Sequence, residues 1–160
     1  LSDYGKGGLA HIATMIERAR AAGKPVLIDP KGDDWDKYRG ATVITPNRGE
    51  FRQVVGRWQD AAGMAAQALA LRARLDVAAL LVTRSEEGMS LYTADGAEDV
   101  PAVAREVYDV SGAGDTVIAA LGVLLGAGAD LRSAVWIANE AAGVVVGKLG
   151  TAVATPDELA

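Results

Sequence analysis

The sequence contains no cysteine among its 160 residues. That excludes a disulfide framework, a Cys-ligated zinc and a thiol nucleophile. A single histidine puts a His-rich metal centre and a Ser-His-Asp triad out of reach, and His11 lies off the apolar stripe of its helix, as a surface residue would. Aromatic residues amount to 5%, and Trp35, Trp58 and Trp136 are too far apart in sequence to suggest a base-stacking platform. Basic residues are the minority: 16 Lys+Arg against 21 Asp+Glu leave a formal charge of −5. With no Lys/Arg cluster, a nucleic-acid or anionic-membrane partner is not expected. No apolar run approaches the ~20 residues of a membrane-spanning helix, and residues 1–20 lack the plan of a signal peptide. The expectation is a soluble cytoplasmic protein or part of one.

What is present is equally informative. Half the residues are apolar and 23% are charged, the balance of a globular chain. Glycine (19 residues) and alanine are abundant, and such small residues let helices and backbone approach closely. Leu9, Ile12, Met15, Ile16 and Ala19 recur at helical spacing over 9–22, with Gly23 as a stop and Pro25 barring continuation. Val26 to Ile28 and Thr42 to Thr45 read as short buried strands, ended by Asp29-Pro30 and by Pro46. Residues 48–56 predict a short helix. Asp60 caps a longer one whose stripe is Met64, Ala68, Leu71 and Leu75. Ala79 to Thr83 is the clearest strand, and 89–93 with 99–103 around Asp95-Gly96 predict a hairpin. A Gly-rich turn at 112–114 leads into an apolar helix to about Leu125, and Asp130 caps a final helix to about Val146. This order predicts an α/β fold, a mainly parallel sheet with helices on both faces. The opening residues Leu1 to Gly5 look like a strand end and its loop. Three core strands and a hairpin leave a sheet edge unpaired, so an N-terminal portion outside residues 1–160 is expected.

Ligands of such sheets sit beyond the carboxyl ends of the strands, where Asp29, Thr45-Pro46-Asn47 and Thr83-Arg84-Ser85 fall. The strongest chemical signal is Asp109-Val110-Ser111-Gly112-Ala113-Gly114-Asp115-Thr116, directly before an apolar helix. Gly112 and Gly114 permit a tight turn that aims several amides at one point, and the helix dipole adds to that field. Such a concavity suits a phosphate or a developing oxyanion. Asp115, in the first turn, can accept a proton from a hydroxyl held there. A carboxylate beside an anion hole makes sense when it activates an alcohol while the amides stabilise a transferring phosphoryl group. The plain structural alternative is a Gly-rich helix entry with no ligand. A dinucleotide fingerprint fails because Val117 stands where its third glycine belongs. A Walker A loop lacks its Gly-Lys-Ser/Thr, and a nucleophile elbow lacks a glycine at 109.

Asn47 and Glu50 are three apart at a strand-to-helix junction. Glu50 could orient a water on Mg²⁺, which phosphoryl transfer from ATP requires, and on spacing alone a capping box explains the pair better. Thr83 to Gly88 reads equally as a nucleotide-contacting turn or a connecting loop. Asn139 to Thr151 could wall an adenine pocket or be a helix with a Gly stop. Asp33, Asp34 and Asp36 read as a solvated loop beside Trp35 rather than a metal cluster.

Together these motifs resemble the ribokinase/PfkB family of carbohydrate kinases. The family signature Asp-Thr-x-Gly-Ala-Gly-Asp matches 109–115 apart from Val110. Its Asn-x-x-Glu matches Asn47 to Glu50, with Thr45 where a Lys often precedes Pro-Asn. Its Thr-x-Gly-x-x-Gly keeps Thr83 and Gly88 but has Ser85 at the first glycine. Within the family, Leu1 to Gly7, Leu27 to Gly32, Thr83 to Glu86, Glu106 to Val110 and Gly143 to Thr151 are similar to the heptose 7-phosphate kinases of lipopolysaccharide precursor synthesis.

The resemblance implies a ribokinase-like fold, of which residues 1–160 are the C-terminal, nucleotide-binding portion without the lid. It also implies ATP-dependent phosphorylation of D-glycero-D-manno-heptose 7-phosphate at the anomeric hydroxyl, for ADP-heptose synthesis. Asp115 would be the general base, with Gly112, Ala113 and Gly114 as the anion hole. Asn47 and Glu50 would organise Mg²⁺ and phosphates, with Thr83, Gly88 and Asn139 along the nucleotide. Asp109 would help a K⁺ site, and Lys6 and Asp29 would contact phosphate or sugar. The implied partners are a sugar phosphate and ATP, with no nucleic acid or membrane, and a homo-oligomer for the full-length protein. The isolated chain is expected to have little or no kinase activity. The alternatives are another sugar or nucleoside kinase of the family, a non-catalytic nucleotide-binding module, and, on the weakest grounds, a Rossmann dehydrogenase.

Overall fold

Strands as short as these persist only where both faces are buried and the ladder is in register. In the computed structural model, residues 1–103 and 107–159 are described. Glu106, which opens the Glu106–Val110 motif, lies outside the described residues. The chain divides into two compact units, one of Leu1–Arg84 with Ser90–Asp99 and one of Ser85–Met89 with Val100–Ala160.

In the first unit, β1 (Leu27–Ile28), β2 (Val43–Ile44) and β3 (Ala79–Thr83) are parallel, with Leu27 level with Val43 and Ala79, and Ile28 level with Ile44 and Leu80. Ile28, Ile44, Leu80 and Val82 form one row. They share a single apolar cluster with Ile12 and Ile16 of α1 (Ile12–Ala21), Phe51 of α2 (Arg48–Val55), and Met64, Ala68 and Leu71 of α3 (Ala61–Arg74). Val43, Ala79 and Leu81 point the other way and are fully buried too. The stripe expected for α3 is therefore its core face, and Asp60 caps it by accepting the Gly63 amide at 2.7 Å.

The first helix starts at Ile12, later than its apolar spacing predicts, because residues 7–12 are used in turns such as Ile12 N–H to the Leu9 carbonyl. It stops as expected: Gly23 has φ +65° and Lys24 N–H reaches back to the Ala19 carbonyl, a left-handed stop. His11, exposed, is the residue before the helix. Asp33 and Asp34 are exposed as expected, whereas Trp35 is 1% exposed and its Nε1–H donates to the Gly32 carbonyl. The scarce aromatics are concentrated: Trp35, Tyr38, Phe51, Trp58 and Tyr92 all belong to this one cluster or pack on it.

β4 (Met89–Thr93) and β5 (Gly96–Val100) complete the sheet in the order β1-β2-β3-β4-β5. A two-residue connection makes this last pair antiparallel, so the sheet is mixed. The hairpin's second strand is predicted over 99–103 and lies at 96–100. It starts directly after Asp95, and Pro101, lacking an N–H, ends it. At the opposite edge, Leu1 to Asp3 run parallel to 27–29, with Ser2 bridging Asp29 and Asp29 N–H bonded to the Leu1 carbonyl at 3.0 Å. The strand-end reading of the opening residues is met.

In the second unit, α4 (Ala113–Gly126) packs against α5 (Leu131–Val146). Val117 and Leu121 are buried on α4, and α5 buries Ala134, Ala138, Ala141 and Ala142, small residues that allow close approach. Asp130 caps α5 as predicted, accepting the Ser133 amide at 3.0 Å. Among the described residues no helix is long and apolar enough to cross a membrane.

Gly88 stands where backbone meets backbone. Its φ is +88°, and a Cβ there would lie 2.1 Å from the Val100 carbonyl oxygen and 2.5 Å from the Ala102 nitrogen. Gly128 has nearly the same φ, +90°, with open space around it. Gly88→Ala is therefore expected to cost about 2–4 kcal/mol, strain plus overpacking, and Gly128→Ala about 1 kcal/mol. Urea denaturation of the two variants checks this, and equal losses would contradict the clash.

Candidate functional site

The first unit gathers polar groups at the carboxyl ends of its parallel strands. Asn47 follows β2 and caps α2. Its Oδ1 accepts the Glu50 amide at 2.9 Å while Glu50 Oε2 accepts the Asn47 amide at 3.0 Å. The capping box is thus real, and it holds Glu50 in one orientation beside Asn47. Asn47 also pairs with Thr83 in an isolated parallel bridge, and Thr83 N–H donates to the Pro46 carbonyl at 2.9 Å. The structure so brings together three residues singled out from sequence: Asn47, Glu50 and Thr83. Asp29, at the end of β1, accepts the Ser2 hydroxyl at 3.0 Å. Lys6 is exposed on the loop after Asp3. Thr45 is buried and its hydroxyl donates to the Ile28 carbonyl at 3.3 Å, so this residue is part of the strand edge and not a ligand group.

Sequence reasoning passed over a network beside these groups. Asp3 is 8% exposed. Its Oδ2 accepts the Tyr38 hydroxyl at 2.6 Å and the Lys37 ammonium at 2.7 Å, and its Oδ1 accepts the Gly5 amide at 2.8 Å. Hydrogen bonds from Lys37 and then Tyr38 hold the Asp3 carboxyl down at about 2. Burial, helped by Asp3, pushes the Tyr38 phenol up to about 12. The Tyr38 oxygen also accepts the Lys31 amide at 3.0 Å and lies 3.3 Å from the Lys31 carbonyl. Lys31 Nζ reaches Glu50 Oε1 at 3.4 Å. The one signal available in sequence was position: Lys31 follows Asp29-Pro30 at the end of a strand, as Asn47 follows Thr45-Pro46.

The second unit carries the Gly-rich loop. Gly112 adopts φ +80°, left-handed, and precedes the first turn of α4, where Asp115 is exposed. The first amides of a helix have no intrahelical acceptor. Of the three amides proposed for an anion hole, Ala113 N–H makes a long 3.3 Å bond to the Val110 carbonyl. The opening turn therefore presents Gly114 and Asp115 more openly than Ala113. Thr116 ties the turn down, its hydroxyl donating to the Gly112 carbonyl at 2.8 Å. Asp109 shapes the loop: its Oδ1 accepts the Ser111 amide at 2.8 Å, and backbone hydrogen bonds from Ser111 first and Gly150 last hold its carboxyl below the usual range.

Two expected nucleotide contacts take structural roles here. Asn139 is 5% exposed on α5 and its Nδ2 donates to the Pro101 carbonyl at 2.8 Å, anchoring the segment after β5. Gly88 is required by the close approach of Val100 and Ala102. Ser85, standing at the family's first glycine position, has φ +55°, the left-handed conformation that glycine adopts without cost.

Mg²⁺ prefers oxygen ligands, one or two carboxylates with phosphates and water completing its shell. Among the described residues no cluster of three or more His, Cys, Asp or Glu could hold a metal. Glu50, side chain 14% exposed and with Oε1 making only the 3.4 Å contact to Lys31, fits such a partial role with a phosphate-bound ion.

Asp3 sets an acid limit. A carboxyl whose value is depressed in the fold adds stability that is complete above its unfolded value, about 4, and lost as pH falls through its folded value. For Asp3 that window runs from about 4 down to about 2. Melting temperatures of Asp3→Asn are expected to fall less steeply than wild type across this window. Parallel curves would remove the network from the acid response.

Residues 7–158 match the pfkB family carbohydrate kinase. The chain is 56% identical over 161 residues to the bifunctional protein HldE of Aeromonas hydrophila, covering all of this chain and 34% of that protein. It is 54% identical over 160 residues to the D-beta-D-heptose 7-phosphate kinase of Bordetella bronchiseptica, covering all of this chain and 51% of the kinase. It thus spans about a third and about a half of these relatives' lengths. The ribokinase of Arabidopsis thaliana, solved with ribose and ATP, superimposes with a TM-score of 0.76 at 25% identity, over 87% of this chain and 46% of that one. The ribokinase-like α/β fold is the one expected.

Proposed function

The chain belongs to the pfkB family of carbohydrate kinases, and from that premise we propose that it is the nucleotide- and anion-binding portion of a sugar kinase acting on D-glycero-D-manno-heptose 7-phosphate. The identity of more than half its residues to a heptose 7-phosphate kinase supports the substrate. The observation that carries the chemistry is Asp115, an exposed carboxylate in the opening turn of α4 directly after left-handed Gly112.

The Asp115 carboxylate accepts the proton of the anomeric hydroxyl as that oxygen bonds to the γ-phosphorus of ATP. The bond from the γ-phosphorus to the bridging oxygen breaks, ADP leaves, and the 1,7-bisphosphate forms. The Gly114 and Asp115 amides, with Gly112 and Ala113 shaping the turn, stabilise the charge on the transferring group. Asn47 and Glu50, fixed by their mutual hydrogen bonds, orient the nucleotide phosphates, and Thr83 beside Asn47 borders the same strand ends. When bound, Mg²⁺ supplies neutralisation of phosphate charge, and Glu50 is the residue that would hold it through water. Lys6 and Asp29 remain the residues assigned to the substrate's phosphate or hydroxyls.

Asp115→Asn in the intact enzyme tests this reading. Loss of a general base is expected to lower kcat by about 10²–10⁴ with little change in melting temperature, because Asp115 is exposed. Coupled-enzyme detection of ADP measures it, with heptose 7-phosphate beside fructose 6-phosphate and ribose to test the substrate. An unchanged rate would sink the catalytic assignment. Preference for another sugar would move the reading to a different kinase of the family.

A further inference from the structure

We propose that Lys31 is a phosphate-binding cation of the nucleotide site, and that Tyr38, held by Asp3, is the positioning residue that keeps it there. The inference rests on the reading of Glu50 as a residue of that site.

Lys31 differs from the tightly paired surface arginines of this unit. Arg20 and Arg74 pair with Asp76 and Asp36 at 2.7 Å, with every partner at least half exposed, contacts of the kind that contribute little. Lys31 meets Glu50 at a loose 3.4 Å, with its own side chain 55% exposed and that of Glu50 only 14% exposed. An ammonium has three donors, and this contact engages one of them weakly. Yet the backbone carrying this under-used cation is held firmly. The Tyr38 hydroxyl lies within hydrogen-bond distance of both the amide and the carbonyl of Lys31. Tyr38 is fully buried, and its proton goes to a buried carboxylate, Asp3, at 2.6 Å. Gly5, whose amide Asp3 also accepts, lies against the Lys31 stem, since a Cβ there would come within 3.8 Å of Lys31 Cγ.

A buried carboxylate and a buried phenol are costly to desolvate. Here they hold the backbone N–H of one residue, Lys31, whose side chain reaches out to the site carboxylate. β1 and β2 are neighbours in register, and beyond their ends the Lys31 ammonium reaches Glu50 Oε1, the carboxylate that shares the capping box with Asn47. Lys31 offsets the charge of Glu50 and donates to a phosphate oxygen brought there. Both a nucleotide and a sugar phosphate present such oxygens, and adjacency to Glu50 favours the nucleotide.

Steady-state kinetics of the intact kinase, varying Mg-ATP and sugar phosphate in turn, tests this on Lys31→Met, Lys31→Arg, Tyr38→Phe and Glu50→Gln. Loss of one charge-assisted phosphate contact is expected to raise KM for Mg-ATP about tenfold or more in Lys31→Met, with Lys31→Arg restoring most of it. Tyr38→Phe keeps the ring in the core and is expected to raise the same KM several-fold, leaving KM for the sugar phosphate unchanged. A rise confined to the sugar-phosphate KM would overturn the nucleotide assignment. Equal rises in both KM values for Tyr38→Phe would overturn the positioning role. If Glu50→Gln raises KM for Mg-ATP while Lys31→Met does not, this inference falls and the functional reading stands. If neither does, both fall.

Discussion

The structure of the first unit depends on register between three very short parallel strands. Leu27, Val43 and Ala79 lie level, as do Ile28, Ile44 and Leu80. A slip of one residue would turn every buried side chain to the wrong face, and because both faces here are buried it would exchange the contents of two packed layers. The same register fixes where the strands end. The residues at and beyond the ends of β1, β2 and β3 (Asp29 to Lys31, Pro46 to Asn47, and Thr83) emerge at one edge because the apolar rows beneath them are aligned. The polar edge is thus a consequence of core packing, and the bridge between Asn47 and Thr83 is the last rung of that ladder.

Most of this frame was legible in the chain. Asp60 and Asp130 announced helices through their caps, the stripe from Met64 to Leu75 announced a core face, and Ala79 to Thr83 announced a buried strand. Each signal is local, a cap or a period that needs no knowledge of the partner. The failures are where a distant contact decides. The hairpin's second strand was expected three residues late, because alternation alone does not say that pairing starts directly after Asp95. The structural contacts of Gly88 and Asn139 are equally beyond local signals, because their backbone neighbours, Val100 and Ala102 for one and Pro101 for the other, lie more than ten positions away. Asp3, Tyr38 and Lys31 could not be joined by any spacing rule, since their meeting follows from Leu1 to Asp3 running alongside β1.

A capping box and a ligand site are not exclusive readings of Asn47 and Glu50. The reciprocal hydrogen bonds consume the Asn47 oxygen and one Glu50 oxygen, and the other carboxylate oxygen has only the long contact to Lys31. A Glu held this way has lost its rotamer freedom before any ligand arrives, so less conformational entropy opposes binding. The structural role supplies the preorganisation that the proposed role requires. The spacing that favoured a plain cap in the sequence was therefore compatible with chemistry all along.

The Gly-rich loop illustrates the opposite economy. Left-handed Gly112 and Ser85 hold backbone conformations that most side chains resist, and one of them is occupied by a serine. At Gly112 the conformation turns the chain into α4, and the helix start that follows must stay open if its amides are to meet an anion. At Ser85 the chain makes a short 3₁₀ turn, Ser85–Glu87, that delivers Gly88 against Val100. The first position rewards glycine by keeping amides accessible. The second needs only the turn, and a serine in the left-handed region costs about 1 kcal/mol, which the contact it leads into can offset. At Gly112 a Cβ would make only ordinary contact with Thr151 Cγ2, at 3.7 Å, so what glycine relieves there is the left-handed strain.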